Sequence, residues 1–292
     1  MSSKRRILVQ LDNDHHASVF DRVVAIDAGV EELFSYGGVE PEHVEGLVHG
    51  AIFTRGPSDL KSTAVFVGGR NVTRAEEIFH VVQKSFIGGM FRTSVMLDPN
   101  GANTTAAAAV LTASKHIDLA HAKALVLGGT GPVGQRVALL LARQKAAVWV
   151  SSRSQGRAQD ACGAIVAKVP DAKVFPTAEA KRDSMAHHPE QFQVIISAAA
   201  AGVRTVSQEQ IQGSNTIRLL MDLNAVPPLG IEGIQVTDYA RSENGILHFG
   251  AIGIGGTKMK IHKAAIARLF QSNDQSLDAE QIYDLALRIE MS

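Results

Sequence analysis

The sequence predicts an α/β fold in two lobes, and two observations carry that expectation. Short apolar runs alternate with helically spaced stretches almost from end to end, the pattern of repeated βα units and a mainly parallel sheet. The alternation also comes in two sets, the second starting near Lys123 with a strand that runs into a glycine-rich turn. A length of 292 residues suits one large domain or two ordinary ones and is enough to bury a substantial core.

In the first set, residues 6–11 read as a strand and 18–28 as a helix with Ser18 as its N-cap. Residues 32–36 form the next strand candidate, and 41–49 a helix with Pro41 in its first turn. The β-branched run 63–67 ends in Gly68-Gly69. Residues 73–86 have helical spacing through Ala75, Ile78, Phe79, Val82 and Phe86. A strand at 93–97 precedes an alanine-rich helix at 103–116. The second set reads as strand 124–127, helix 132–144, strand 147–151 and helix 156–168. Further strands are expected at 173–175, 194–197, 218–223 and 246–249, and closing helices at 259–270 and 279–289. The expected division is 1–103 for the first domain and 104–270 for the second, with the segment 271–292 a candidate to pack back on the first.

Composition narrows the function classes. Hydrophobic residues make up 45% and charged residues 20%, which argues against general disorder. Lys+Arg and Asp+Glu both total 29, so the basic excess usual in nucleic-acid binders is missing. The single cysteine, Cys162, leaves a monomer no disulfide, cysteine-rich zinc site or iron–sulfur cluster. The start, Met1 to Arg6, is basic like a signal sequence, but the apolar run after it is too short to continue one. No apolar stretch is long enough to span a membrane, and a reduced, cytoplasmic, soluble protein is expected.

Gly129, Gly131 and Gly134 form G-x-G-x-x-G between a strand and a helix, the context a dinucleotide fingerprint requires. Gly129 permits the tight turn, Gly131 lets the backbone approach a pyrophosphate, and Gly134 lets helix and strand pack closely. The helix N-terminus adds free N–H groups and partial positive charge. The candidate phosphate cradle is therefore Gly129, Thr130, Gly131, Pro132, Val133 and Gly134, the mark of a Rossmann-type domain. The next strand selects the cofactor. An NAD site places an acid about 20 residues on, to bind the ribose 2′-hydroxyl. Here the strand ends in Ser151-Ser152-Arg153-Ser154, with Arg157 beyond and no carboxylate before Asp160. Ser152, Arg153 and Arg157 suit a 2′-phosphate, and NADP is expected.

The chemistry must come from elsewhere. Tyr36, Tyr239 and Tyr283 are followed four positions later by Glu40, Glu243 and Leu287, so no Tyr-x-x-x-Lys pair exists. His15-His16 and His187-His188 are adjacent rather than helically spaced, the histidines read as solvated, and no metal site is expected. Four segments stand out. The run 98–105, Asp-Pro-Asn-Gly-Ala-Asn-Thr-Thr, is expected to turn Asp98, Asn100, Asn103 and Thr104 toward a cleft between the lobes; its alternative reading is a helix cap on Asn103 or Thr104. Small residues at 197–202, with Ala198 and Ala199, leave room for the cofactor. In 222–230, Asn224 is expected near the nicotinamide. In 250–256, glycines including Gly255 allow close approach to a ligand and open the helix carrying Lys258, Lys260 and His262.

Taken in order, these segments resemble the NADP-dependent methylene-tetrahydromethanopterin dehydrogenases of one-carbon metabolism. The likeness rests on Ser18-Val-Phe-Asp21, Ile26-Asp-Ala-Gly29, Phe53-Thr-Arg55, Phe66-Val-Gly-Gly69, the 98–105 loop, the 129–134 turn, and segments 222–230 and 250–260. The resemblance implies an N-terminal α/β substrate domain, a Rossmann-type NADP domain and reversible hydride transfer from the methylene carbon of a reduced pterin to NADP⁺. A homo-oligomer is expected. No proton moves at the reacting carbon, so positioning and electrostatics can suffice. Asp98 or Asp21 could then stabilise the forming cation, and Lys258 could orient the pterin. Activity on methylene-tetrahydrofolate, an amino-acid or shikimate-type dehydrogenase, and a non-enzymatic NADP-binding regulator remain open at this point.

Overall fold

The computed structural model describes residues 4–178, 188–212 and 214–291; His187 and the first residues of the chain lie outside that set. The chain divides into two compact units, Met1–Thr104 with Met259–Ser292, and Thr105–Lys258.

The first unit is built on five parallel strands: β1 (Ile7–Asp12), β2 (Glu32–Tyr36), β3 (Thr63–Gly68), β4 (Ser94–Leu97) and β12 (Ser276–Leu277), in the order β12-β4-β3-β1-β2. Parallel neighbours need crossovers, supplied by α1 (Val19–Asp27), α2 (Pro41–Ile52) and α3 (Val72–Lys84). Central β3 is buried at every position, which is why its sequence is an unbroken apolar run rather than an alternating one. Val9, Leu11, Val65, Val67, Val95 and Leu97 meet Val44, Val48 and Ile52 of α2 and Ile78 and Val82 of α3 in one core. Asn71 caps α3 by accepting from the Arg74 N–H, and Ser18 caps α1 by accepting from the Asp21 N–H.

The second unit carries a seven-stranded sheet in the order β10-β11-β9-β8-β5-β6-β7. Its strands are β5 (Lys123–Leu127), β6 (Ala147–Ser152), β7 (Val174–Ala178), β8 (Val194–Ser197), β9 (Leu219–Asp222), β10 (Arg241–Glu243) and β11 (Ile246–Gly250). All pairs are parallel except the β10–β11 hairpin. The chain runs from β5 outward to β7, then returns to the other side of β5 with β8, so the direction of winding switches between β5 and β8. Helices α5 (Pro132–Arg143) and α6 (Gln155–Lys168) cover β5 and β6, and α5 is buried at every position from Arg136 to Ala142.

The structure corrects the expected domain limits. Residues 259–270, assigned to the second domain, belong to the first unit. The reason is the inward face of α8 (Gly255–Arg268): Ile261, His262, Ala265 and Ile266 are buried, and His262 stacks on Phe66 of β3. Two strands and the single-turn helix α7 (Gln208–Ile211) went unpredicted. β12 is too short to show a period. β10 is polar and pairs with β11 across Asn244 and Gly245, both at positive φ (52° and 77°), the tight hairpin turn that Asn-Gly favours.

Candidate functional site

The candidate cofactor residues gather at the switch point of the second unit, outside the carboxyl ends of β5 and β8, the position at which open parallel sheets bind ligands. A Cβ on Gly129 would stand 2.7 Å from the Val150 side chain, and one on Gly134 would stand 2.3 Å from the Gly128 carbonyl oxygen. No side chain fits either position, so at both the turn presents only backbone. Gly131 is the N-cap of α5 and Pro132 its first residue; Thr130 before them and Val133 after them are half-buried. The open first turn of α5 therefore faces the crevice with its N–H donors. These features fit a dinucleotide pyrophosphate.

Beside the turn, β6 ends at Ser152, whose hydroxyl lies 3.2 Å from that of Thr130. Ser154 caps α6, and Arg153 and Arg157 are exposed at that strand end. The first carboxylate beyond β6, Asp160, is exposed within α6. Hydroxyls and guanidinium groups with no acid at the strand end fit a 2′-phosphate and would leave a bare ribose hydroxyl without its acceptor. On the other side of β5, Ala198 and Ala199 are half-exposed after β8, and the Asn224 amide donates to the Ala199 and Ala200 carbonyls at 3.2 and 3.1 Å.

The substrate candidates of the first unit sit at the carboxyl ends of its strands, but several do not face outward. Asp98, Asn103 and Thr104, expected to face the substrate, are all fully buried. Asp98 follows β4 and caps α4 (Ala102–Ser114): one carboxylate oxygen accepts the Asn103 and Thr104 N–H groups at 2.9 and 3.0 Å, the other the Thr104 hydroxyl at 2.6 Å. The cap is therefore Asp98, not Asn103 or Thr104. The Asn103 amide donates to the Leu97 carbonyl and to Asp278. Asn100, held at φ 53°, is the exposed polar group of that loop. Asp21 lies in the first turn of α1, 8% exposed; one oxygen stands 3.7 Å, and one oxygen of Asp12 3.4 Å, from where a Gly68 Cβ would be. Burial raises the Asp12 carboxyl above its ordinary range, against the Ser18 and Asp14 N–H groups it accepts.

The glycines of 250–256 also need a correction. A Cβ on Gly250 would stand 2.1 Å from the Gln235 carbonyl oxygen, and one on Gly253 1.8 Å from that of Asp238. Those two exist to pass their own backbone, not a ligand. Gly255, at the start of α8, meets nothing, and Lys258 is half-buried further along the helix.

Comparison with known proteins decides the family. Residues 19–100 match the family model described as the N-terminal part of methylene-tetrahydromethanopterin dehydrogenase. The bifunctional protein MdtA of Methylorubrum extorquens is 43% identical over 97% of this chain and 98% of its own. The chain belongs to the methylene-tetrahydromethanopterin dehydrogenase family. A second relative from the same organism, an NAD(P)-dependent methylenetetrahydromethanopterin dehydrogenase, is 29% identical over 98% of this chain and 99% of its own. Among solved structures, 5-ketofructose reductase of a Gluconobacter species matches 99% of this chain and all of its own, with a TM-score of 0.53 at 12% identity. Shikimate dehydrogenase from Aquifex aeolicus matches all of both chains, with a TM-score of 0.51 at 14% identity. Those two likenesses concern the fold of this family member alone.

Two buried histidines correct the solvated reading of that residue type. His248 is hydrogen-bonded to Arg241, and burial, then the Arg241 charge, lowers its pKa. His262 is fully buried, 3.9 Å from the Asp98 carboxylate. The sequence signal for His262 is its place four residues after Lys258, one turn along the same helix. Among the described residues, no group of His, Cys, Asp or Glu could hold a metal, and no helix is long and apolar enough to cross a membrane.

Proposed function

We propose that this protein is an NADP-dependent methylene-tetrahydromethanopterin dehydrogenase. The observation that carries the reading is the 43% identity maintained over nearly the whole length of both chains. The acid-free end of β6, with Ser152, Arg153 and Arg157, supports NADP over NAD. When bound, NADP⁺ supplies C4 of its nicotinamide as the hydride acceptor. The 129–134 turn holds the pyrophosphate, the β6 end holds the 2′-phosphate, and Asn224 with the 198–200 backbone fixes the nicotinamide end.

The donor is the methylene carbon between N5 and N10 of the reduced pterin; the product is the methenyl cation. Loss of hydride creates positive charge, which a nearby carboxylate stabilises. Asp21 is the carboxylate we assign to that task, and Asp98, being buried, supports it by fixing the end of β4 and the start of α4. Asn100 leaves its amide for the polar edge of the pterin. A homo-oligomer and a cytoplasmic location belong to the same reading; the exposed stripe Val19, Val23 and Ile26 on α1 supports the first, the lone cysteine the second.

The test is NADP⁺ reduction with methylene-tetrahydromethanopterin, methylene-tetrahydrofolate and an NAD⁺ control. Turnover of the methanopterin substrate with NADP⁺ is expected. The folate is included because the sequence leaves that pterin open, and its turnover would add a second substrate. Binding of NADP without turnover of either pterin would make the protein a regulator and end the enzymatic reading.

A further inference from the structure

The strongest unassigned feature is a single carboxylate that closes an exposed loop at the cofactor crevice. Asp222 ends β9, fully buried. One oxygen accepts the Asn224 N–H at 2.9 Å and the other the Ile231 N–H at 2.7 Å, so the two ends of the loop 223–230 hang on one side chain. The apex of that loop, Ala225 to Pro228, is exposed. The far end is pinned again: the Gly230 carbonyl accepts from the Thr205 and Val206 N–H groups, and a Cβ at Gly230 would stand 2.2 Å from Ser197 Oγ and 3.1 Å from Asp222 Oδ2.

What the loop holds gives the clamp its meaning. Asn224 spends its amide on the Ala199 and Ala200 carbonyls. That segment touches the phosphate turn, because a Cβ on Gly128 would stand 2.6 Å from both the Ala198 oxygen and the Ala199 Cα. Asp222, Asn224, the 198–200 backbone and the Gly128 turn thus form one continuous contact path along the carboxyl ends of β9, β8 and β5. The Ser152–Arg157 end lies on the opposite side of β5, outside this path.

We propose that Asp222 is a positioning residue for the nicotinamide half of the cofactor, acting through Asn224 and the 198–200 backbone. The inference rests on the NADP reading above and names how one part of that site is held. An anionic carboxylate is needed, because both oxygens must accept; an amide would point N–H groups at an N–H donor and release one loop end.

The experiment compares two ligands on one set of variants: NADPH, and 2′-phospho-ADP-ribose, which has the same adenine half but no nicotinamide. Asp222→Asn is expected to weaken NADPH about tenfold and to leave 2′-phospho-ADP-ribose within about twofold. Equal loss of both, or no loss of either, overturns the proposal, since a merely structural residue would not distinguish the ligands. If Asp222→Asn fails to fold, Asn224→Ala decides, and NADPH alone must weaken; a variant binding both ligands as the wild type does, or losing both alike, overturns it. A wild-type protein that binds neither ligand instead overturns the cofactor reading itself.

Discussion

The turn after β5 and the loop after β4 hold the same station in their own sheets, just past the carboxyl end of a buried strand, and they use it in opposite ways. The first has few side chains to spend. Gly129 and Gly134 are packed so closely by Val150 and by the Gly128 backbone that no side chain fits there, and apart from Thr130 the turn offers backbone N–H groups. The second is rich in carboxylate, amide and hydroxyl, and most of them turn inward: Asp98 and the Thr104 hydroxyl close the start of α4, and the Asn103 amide bonds Leu97 and Asp278. A polar loop at a strand end is therefore no surer sign of a ligand than a bare one. What matters is whether its donors and acceptors are already used by the backbone.

The largest effect that separates the two comes from Gly134→Val. Its Cβ would meet the Gly128 carbonyl far inside contact distance, and overpacking against fixed backbone should cost about 3 kcal/mol. A strongly lowered Tm with lost NADPH binding is the expected result. Gly255→Ala, which meets nothing, should leave Tm and binding close to wild type. A tolerated Gly134→Val would break the account of the turn.

Arg153→Ala tests the same region from its phosphate side. Each charge-assisted bond to the 2′-phosphate is worth about 1.5–3 kcal/mol, so NADP should weaken about 10- to 100-fold. NAD, without that phosphate, should change little, apart from any loss of stacking on the adenine. Ser152→Asp should go further, adding repulsion to the phosphate and an acceptor for the ribose hydroxyl. Dissociation constants for both cofactors decide it: equal weakening by Arg153→Ala would remove the basis for NADP selectivity.

For the loop after β4, the buried cap predicts a stability effect. Asp98→Ala should cost about 2 kcal/mol, the upper range for an N-cap, and lower Tm whether or not pterin is present. Asp98→Asn keeps an acceptor for the backbone N–H groups and should recover part of it. If Asp98→Ala instead folds as well as wild type but loses kcat/KM for the pterin, the carboxylate faces substrate in the working enzyme and the cap is secondary.

This contrast also explains what could be read from the chain and what could not. The strands and helices were legible because apolar period and caps are local: Ser18, Pro41 and the unbroken β3 run each announce their element. The glycine turn was legible as a turn, because a Cβ at Gly129 or Gly134 has no room between β5 and α5. The fate of Asp98 was not, since a carboxylate before an Asn-Thr pair serves a cap or a ligand equally well until the helix start is placed. Gly250 and Gly253 misled for a similar reason: their partners, the carbonyls of Gln235 and Asp238, come from an irregular stretch without periodicity. The placement of 259–270 depended on His262 meeting Phe66, a contact between residues almost 200 positions apart that no local pattern encodes.

The smallest expected effect concerns His248 on β11, one strand in from the edge of the second sheet and away from the turn. Its Nδ1 lies 2.7 Å from a guanidinium nitrogen of Arg241, and that arginine is shared with Asp238 and Glu243. Burial, and then the neighbouring guanidinium, favours the neutral imidazole and lowers its pKa from the usual 6.5. The folded pKa thus lies below the unfolded one, and the unfolded state binds the proton more readily. The contribution of neutral His248 to stability is then complete above pH 6.5 and is lost as pH falls through the folded pKa. His248→Gln keeps a side-chain acceptor for Arg241 but cannot titrate. Thermal unfolding from pH 7.5 down to about 5 should therefore show a shallower fall of Tm in the variant than in the wild type, at a small cost near neutrality. Parallel curves would mean that His248 meets protons equally in both states, and that the Arg241 cluster, unlike the glycine turn, tolerates a charge it was expected to exclude.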